Sequence, residues 1–175
     1  HAVSGYSGAG KKGIAQYEEK QGRDGFDSPR QYALGQKHKH LPEMQAISRL
    51  TYPPIFNPMV CNYYAGMVVS VPLHTRLMAK PMTAAQLHTF FTAYYAGQEL
   101  IHVRPFMGEG VLDNGFLDAS TAAGYDDMEI FIAGHEDQIL LAARLDNLGK
   151  GASGAAVQCM NLMLGMDQTT GLSLR

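Results

Sequence analysis

Two apolar runs, Met128 to Ala133 and Gln138 to Leu145, are separated only by Gly134-His135-Glu136-Asp137. Runs of that length, broken by a short glycine-bearing turn, specify a β-hairpin. A third run, Gly66 to His74, is rich in branched residues and reads as another strand. Strands of this kind need a covering layer, and Thr83 to Gly97 supplies the clearest helix. There Thr83 can cap the start, Leu87, Phe90, Phe91, Tyr94 and Tyr95 line one side, and Gly97 ends it.

The remaining elements follow by the same logic. Ser4 to Gly10 is dense in glycine and hydroxyls and reads as a loop. Lys11 to Lys20 reads as a short helix, and Gln21 to Arg30 as a polar, turn-rich stretch. At Leu41-Pro42-Glu43-Met44 a helix starts, with Pro42 in its first turn, Glu43 near the positive end of its dipole, and Met44, Ile47 and Leu50 as an apolar stripe. Tyr52 to Pro58 carries three prolines and is expected to be extended or turning. Ile101 to Phe106 reads as a strand followed by a glycine-rich loop to Gly115, and Gly151 to Leu164 as a closing helix. Strands and helices in separate blocks indicate an α+β fold, one sheet with helices on one face. No linker or repeat divides residues 1–175, which are read as one domain.

Composition narrows the function classes. The chain has 175 residues, 46% hydrophobic and 17% charged, enough to bury a core without disulfides. A formal net charge of -2 gives no broad electrostatic case for nucleic acid or an anionic membrane. Basic residues do gather at Lys11, Lys12, Lys37 and Lys39, a local pattern suited to a small anion. Cys61 and Cys159 read as free thiols of a reducing compartment, with Cys159 expected as a buried small hydrophobe. The ten methionines read as core filler. No apolar run is long enough to span a membrane and no signal peptide is visible, so the expected location is the cytoplasm. The opening His1-Ala2-Val3-Ser4-Gly5 has no initiator Met and resembles a strand end, from which a piece of a longer polypeptide is expected.

Three segments hold groups that can do chemistry. Ser4-Gly5-Tyr6-Ser7-Gly8-Ala9-Gly10 brings hydroxyls and backbone N–H groups close to anything that sits on it, although an ordinary turn has the same composition. His38-Lys39-His40, just before a helix, puts two imidazoles and an ammonium in one small volume; by the residues alone an exposed basic turn is the simpler account. A zinc site would need a third ligand that spacing does not provide, so no metal is expected. Asp146-Asn147-Leu148-Gly149-Lys150-Gly151-Ala152-Ser153-Gly154 allows close approach of either a ligand or a neighbouring element, and composition does not choose between them. His74, His88, His102 and His135 are read as surface or structural.

Taken in order, these segments resemble the N-acetyl-gamma-glutamyl-phosphate reductase family. That family shows Ser-Gly-x-Ser-Gly-Ala-Gly-Arg/Lys, then His-x-His-x-Pro-Glu-Ile, then Asp-Asn-Leu-x-Lys-Gly-Ala-x-Gln-Ala-Val-Gln. The matching stretches here are Ser4 to Lys11, Lys37 to Met44 and Asp146 to Gln158, with Met44 and Ala155 as mild departures. The family's nucleotide fingerprint and its Pro-Gly-Cys-Tyr-Pro-Thr nucleophile motif do not occur in this chain.

The resemblance implies a mixed sheet like the C-terminal domain of glyceraldehyde-3-phosphate dehydrogenase, and a partnership with an N-terminal NAD(P)-binding domain that carries the nucleophilic cysteine. It implies NADPH-dependent reduction of N-acetyl-gamma-glutamyl phosphate to N-acetylglutamate semialdehyde in arginine biosynthesis, with this chain inert by itself. His40 takes the acid/base role, with His38, Ser4 and Ser7 meeting substrate. Gly8, Gly10, Asn147, Lys150 and Gly151 are expected to meet the cofactor. A homodimer or homotetramer formed through the sheet is expected. The alternatives are a reductase of the same fold acting on a lysine-pathway amino-carrier substrate or aspartyl phosphate, and a non-catalytic dimerisation or anion-binding module.

Overall fold

The computed structural model describes residues 1–19 and 25–175. Its centre is a mixed sheet of seven strands in the order β2-β3-β1-β4-β7-β6-β5. The strands are β1 (Ala2–Gly5), β2 (Arg30–Gln31), β3 (Pro58–Cys61), β4 (Met67–His74), β5 (Ile101–Val103), β6 (Met128–Gly134) and β7 (Gln138–Leu145). Pairs β1–β3 and β5–β6 are parallel and the rest antiparallel. The hairpin read from sequence is β6–β7, with Gly134 opposite Ile139. Gly134 has φ +123, and a Cβ there would lie 2.2 Å from the Gln138 carbonyl oxygen, so only glycine closes this turn without displacement.

Side-chain alternation sorts the sheet into two faces. Ile130 and Ile132 of β6 and Ile139 of β7 meet Ala84 and Leu87 of α3 (Ala84–Tyr94), with Phe91 and Tyr95 packed against them. Ile132 is fully buried; removing such a side chain from water contributes about 1.5–3 kcal/mol. Their neighbours Val68, Phe131 and Ala142 point the other way, beneath Ala119, Val111, Leu112 and Leu117 of the long connection after β5. Thr83 caps α3 as expected, accepting from the Gln86 N–H while the Gln86 side chain accepts from the Thr83 N–H. At the other end of the sheet Tyr17 of α1 (Gly10–Glu19) joins Phe26, Val60 and Tyr6 in a smaller cluster. Tyr17 and α3 both pack on residues of the same strand parity, so these helices share a face.

Several expectations need correcting. The segment Ser4 to Gly10 is not all loop, because β1 runs to Gly5 and a 3-10 turn covers Tyr6–Ala9. β3 was not anticipated: Pro58 opens it, and its missing N–H costs nothing at the first residue of a strand. β5 stops at Val103, since Pro105 leads into a 3-10 turn. The stripe on α2 (Leu41–Ser48) is not buried: Leu41 is, whereas Ile47 is 81% exposed and Leu50 is exposed too. On α3, Phe90 and Tyr94 face outward. The closing helix α4 (Gly154–Met163) follows a π-turn at Gly149–Ser153. Cys159 is exposed rather than buried, and Met160, Met163 and Met166 lie outside the core. The turn-rich stretch from Gln21 lies outside the described residues as far as position 24, as does Lys20.

Candidate active site

A cavity of about 500 Å³ opens on the helix face of the sheet, floored by alternate residues of β1, β3 and β4. Ala2 and Ser4, Pro58 and Val60, and Met67 and Val69 all point into it, as the registers Ser4↔Val60 and Ser4↔Met67 require. Above this floor stand Ser7 and Gly8, the segment His38-Lys39-His40, and Asn147, Leu148, Gly151 and Ala152. Three segments far apart in sequence thus close on one space. Of the residues expected from the resemblance to meet substrate or cofactor, Gly10 and Lys150 are outside it.

Asn147 fastens the segments together. Its Nδ2 donates to Ser7 Oγ at 2.8 Å, and its Oδ1 accepts from the Gly66 N–H at 2.9 Å. Ser4 and Ser7 are both buried, and Ser4 Oγ donates to the Gly5 carbonyl at 3.0 Å. A Cβ on Gly8 would come within 2.8 Å of Ser4 Oγ, so glycine lets the turn lie directly on the serine.

The two imidazoles are neighbours, with ring centroids 4.7 Å apart. His38 is wedged edge-on against Phe56 at 5.1 Å and Tyr32 at 5.8 Å, and its Nδ1 accepts from the His40 N–H at 3.2 Å. Burial, then the charges of His40 and Lys39, hold the His38 imidazole below its ordinary value. His40 stands immediately before α2, and its carbonyl accepts from the Met44 N–H at 2.8 Å. His40 thus lines the cavity beside His38, and an imidazole is a side chain able to transfer protons near neutral pH.

The glycine-rich third segment has two jobs. Gly151 and Asn147 face the cavity, but Gly149 and Gly154 serve internal packing: a Cβ on Gly154 would lie 2.2 Å from Asp126 Oδ1, and one on Gly149 would lie 2.4 Å from the Tyr125 carbonyl oxygen. Lys150 turns away, its Nζ donating to Gln158 Oε1 at 2.7 Å, and burial pulls its ammonium below the ordinary value. Gly10 lines a second cavity next door. Sequence reasoning missed the apolar wall of Met44, Phe56, Met67 and Val69; the alternation along β4 was the available signal. Neither cysteine lines the cavity. Burial pushes the Cys61 thiol up, the wrong direction for a thiolate nucleophile. Among the described residues no group of three or more His, Cys, Asp or Glu side chains could hold a metal ion.

Comparison with known proteins gives this arrangement a context. The model of the semialdehyde dehydrogenase dimerisation domain matches residues 1–147. The chain belongs to that family. Within the semialdehyde dehydrogenase dimerisation-domain family, it is similar to proteins named N-acetyl-gamma-glutamyl-phosphate reductase. Those of Brucella ovis and Brucella suis are each 46% identical over 168 residues, 94% of this chain and 54% of theirs. The chain therefore spans about half the length of these curated relatives. Among solved structures, aspartate semialdehyde dehydrogenase II from Vibrio cholerae matches with a TM-score of 0.63 at 19% identity, over 94% of this chain and 54% of that one. The aspartate semialdehyde dehydrogenase from Francisella tularensis matches with a TM-score of 0.63 at 12% identity, over 93% and 57%. At these identities the likeness establishes the shared fold. No helix among the described residues is long and apolar enough to cross a membrane.

Proposed function

We propose that this chain is the substrate and dimerisation half of an NADPH-dependent N-acetyl-gamma-glutamyl-phosphate reductase, a cytoplasmic enzyme of arginine biosynthesis. The observation that carries the reading is the convergence of His38, His40, Ser4, Ser7, Gly8, Asn147 and Gly151 on one cavity, in a chain with 46% identity to reductases so named.

The residues suit the chemistry. An acyl phosphate attacked by a thiolate loses phosphate and leaves a thioester, and reduction of that thioester gives the aldehyde. The thiol is supplied from outside this chain, by the nucleotide-binding half. His40 takes the thiol proton as the nucleophile forms and returns a proton at the reacting centre, a task suited to an imidazole. Ser7 Oγ, fixed by Asn147, offers its hydroxyl hydrogen to substrate, and His38 offers a ring N–H. Met44, Met67 and Val69 shield the apolar part of the substrate from water.

NADPH fits this half only at one end. The glycine edge of the cavity at Gly8 and Gly151, beside an apolar floor, suits a flat ring and its ribose. When bound, the cofactor supplies hydride. Gly8, Asn147 and Gly151 are the residues that would face it, with most of the molecule held by the other half. Association of two or four copies through the sheet accompanies this reading; the family's description as a dimerisation domain supports self-association.

The test is an assay of the full-length polypeptide carrying this chain, with N-acetylglutamate semialdehyde, phosphate and NADP. We expect turnover, lowered by roughly 100-fold or more in His40→Ala, and none from the 175-residue chain by itself. Absence of turnover in the full-length protein, or preference for aspartate semialdehyde, overturns the assignment. Turnover by the isolated chain overturns the division of labour.

A further inference from the structure

We propose that the cavity adjoining the histidine pair is a phosphate site built by Lys12, Arg30 and Lys39. The identity of the ligand rests on the reductase reading; the existence of the site does not. The cavity measures about 550 Å³ and lies between the start of α1 and β2, sharing Gly8, His38 and Lys39 with the cavity described above.

Its charge is one-sided. Lys12 comes from the first turn of α1, Arg30 from the edge strand β2 and Lys39 from between the histidines. No Asp or Glu is among the described residues that line it. None of the three cations forms an ion pair among the described residues. α1 has no acidic residue in its first turn, so the positive end of its dipole adds to the same field. A Cβ built on Gly10, whose φ is +71, meets nothing within 4 Å, leaving the backbone there open to a ligand.

Arg30 is also held in place. Its guanidinium carbon lies 4.2 Å from the centre of the Phe26 ring. Phe26 is buried and packs edge-on against Tyr17, which stacks on Tyr6. A guanidinium seated on a buried aromatic stack keeps its N–H fork free for two oxygens of one anion. Cations that line one cavity with no counter-charge among the described residues repel one another, and a compact dianion relieves that repulsion. A phosphate group has the size and charge. In the proposed reaction that group is the acyl phosphate, released as inorganic phosphate, because the cofactor end facing this half is the hydride-donating one and the 2′-phosphate lies at the other. Lys39, on the shared wall, would hold it beside the imidazoles.

Calorimetric titration of the 175-residue chain with inorganic phosphate, and separately with adenosine 2′-phosphate, tests the proposal. We expect saturable binding of inorganic phosphate, weakened roughly tenfold by Arg30→Gln and by Lys12→Gln, with unchanged circular dichroism and thermal midpoint. Tighter binding of adenosine 2′-phosphate would overturn the assignment to the substrate's phosphate. Binding that fails to saturate, or that is equal in both variants, overturns it. If the chain binds phosphate through Arg30 while the full-length polypeptide has no reductase activity, the site stands and the reductase reading falls. If the polypeptide is active and both variants bind phosphate normally, the reverse holds.

Discussion

Asn147 and Ser7 are 140 residues apart in sequence and hydrogen-bonded at 2.8 Å. With its other amide atom on the Gly66 N–H, Asn147 joins the turn after β1, the start of β4 and the segment after β7. Asn147→Ala leaves the buried Ser7 hydroxyl and the Gly66 N–H without these partners. We expect a loss of about 1–3 kcal/mol, read as a lower urea midpoint with an unchanged slope. Asn147→Asp keeps the acceptor for Gly66 but loses the donor to Ser7, and is expected to fall between. An alanine variant as stable as the parent would show that the clasp is idle.

Gly154→Ala puts sterics against helix propensity. Gly154 has φ -61, an ordinary helical value, so alanine should strengthen the helix by about 0.8–1 kcal/mol if nothing were nearby. The added Cβ would instead stand 2.2 Å from Asp126 Oδ1, whose carboxylate also accepts from the Ser173 N–H at 2.9 Å. Overpacking of this kind costs about 1–3 kcal/mol, so net destabilisation is expected. A rise in melting temperature would mean that Asp126 moves aside freely.

Acid should attack the other face of the sheet. Glu129 is buried between Arg144 Nε at 2.5 Å, Arg175 Nη1 at 2.7 Å and Arg104 Nε at 3.2 Å. Burial by itself raises a carboxyl, but the hydrogen bonds and charges of Arg144 and Arg175 outweigh it and hold Glu129 below the ordinary glutamate range. A carboxyl depressed on folding lends stability above its unfolded value and loses it as the pH falls through its folded one. Denaturation midpoints should therefore drop as the pH goes below the usual glutamate range. Glu129→Ala strands the buried Arg144 and is expected to cost about 3–5 kcal/mol at neutral pH, with a flatter acid limb. An acid limb unchanged by this substitution would locate the sensitivity elsewhere.

His38 should titrate low. Its ring is crowded by Phe56 and Tyr32 and repelled by His40 and Lys39, and its Nδ1 accepts from a backbone N–H. Nitrogen-detected NMR of the chain should find its midpoint below the unperturbed value of about 6.5, with the proton on Nε2 in the neutral ring. Because folding lowers this value, protonating His38 destabilises the native state, a small loss as the pH falls through the unfolded imidazole range. A midpoint at or above the unperturbed value contradicts this environment.

Elements with strong periodicity were legible before any coordinates. Met128–Gly134 and Gln138–Leu145 alternate so that Ile130, Ile132 and Ile139 share one face, and the Thr83 cap was visible as a residue type in the right place. β3 was hidden because four residues beginning with Pro58 carry too little pattern. Ile47 on α2 and Leu50 just beyond its end have helical spacing yet stay exposed, since spacing says where a stripe lies and not what covers it. In the site, the serine–glycine turn, the histidine pair and Asn147 were found through ordered motifs. Arg30 escaped notice, because its significance comes from Phe26 and Lys39 being brought beside it by the fold. The choice for Gly149 and Gly154 between ligand and packing needed the position of Asp126.

The place of β1 has consequences for how the chain acquires its shape. β1 precedes both of its neighbours in sequence yet lies between them, parallel to β3 and antiparallel to β4. The β6–β7 hairpin can close locally and early, whereas β1 must wait for partners more than fifty residues downstream, a non-local pairing of the kind that slows folding. Until it docks, two sheet fragments carry open edges prone to pairing with other chains. A short strand of four residues, Ala2–Gly5, thus turns two halves of the sheet into one surface.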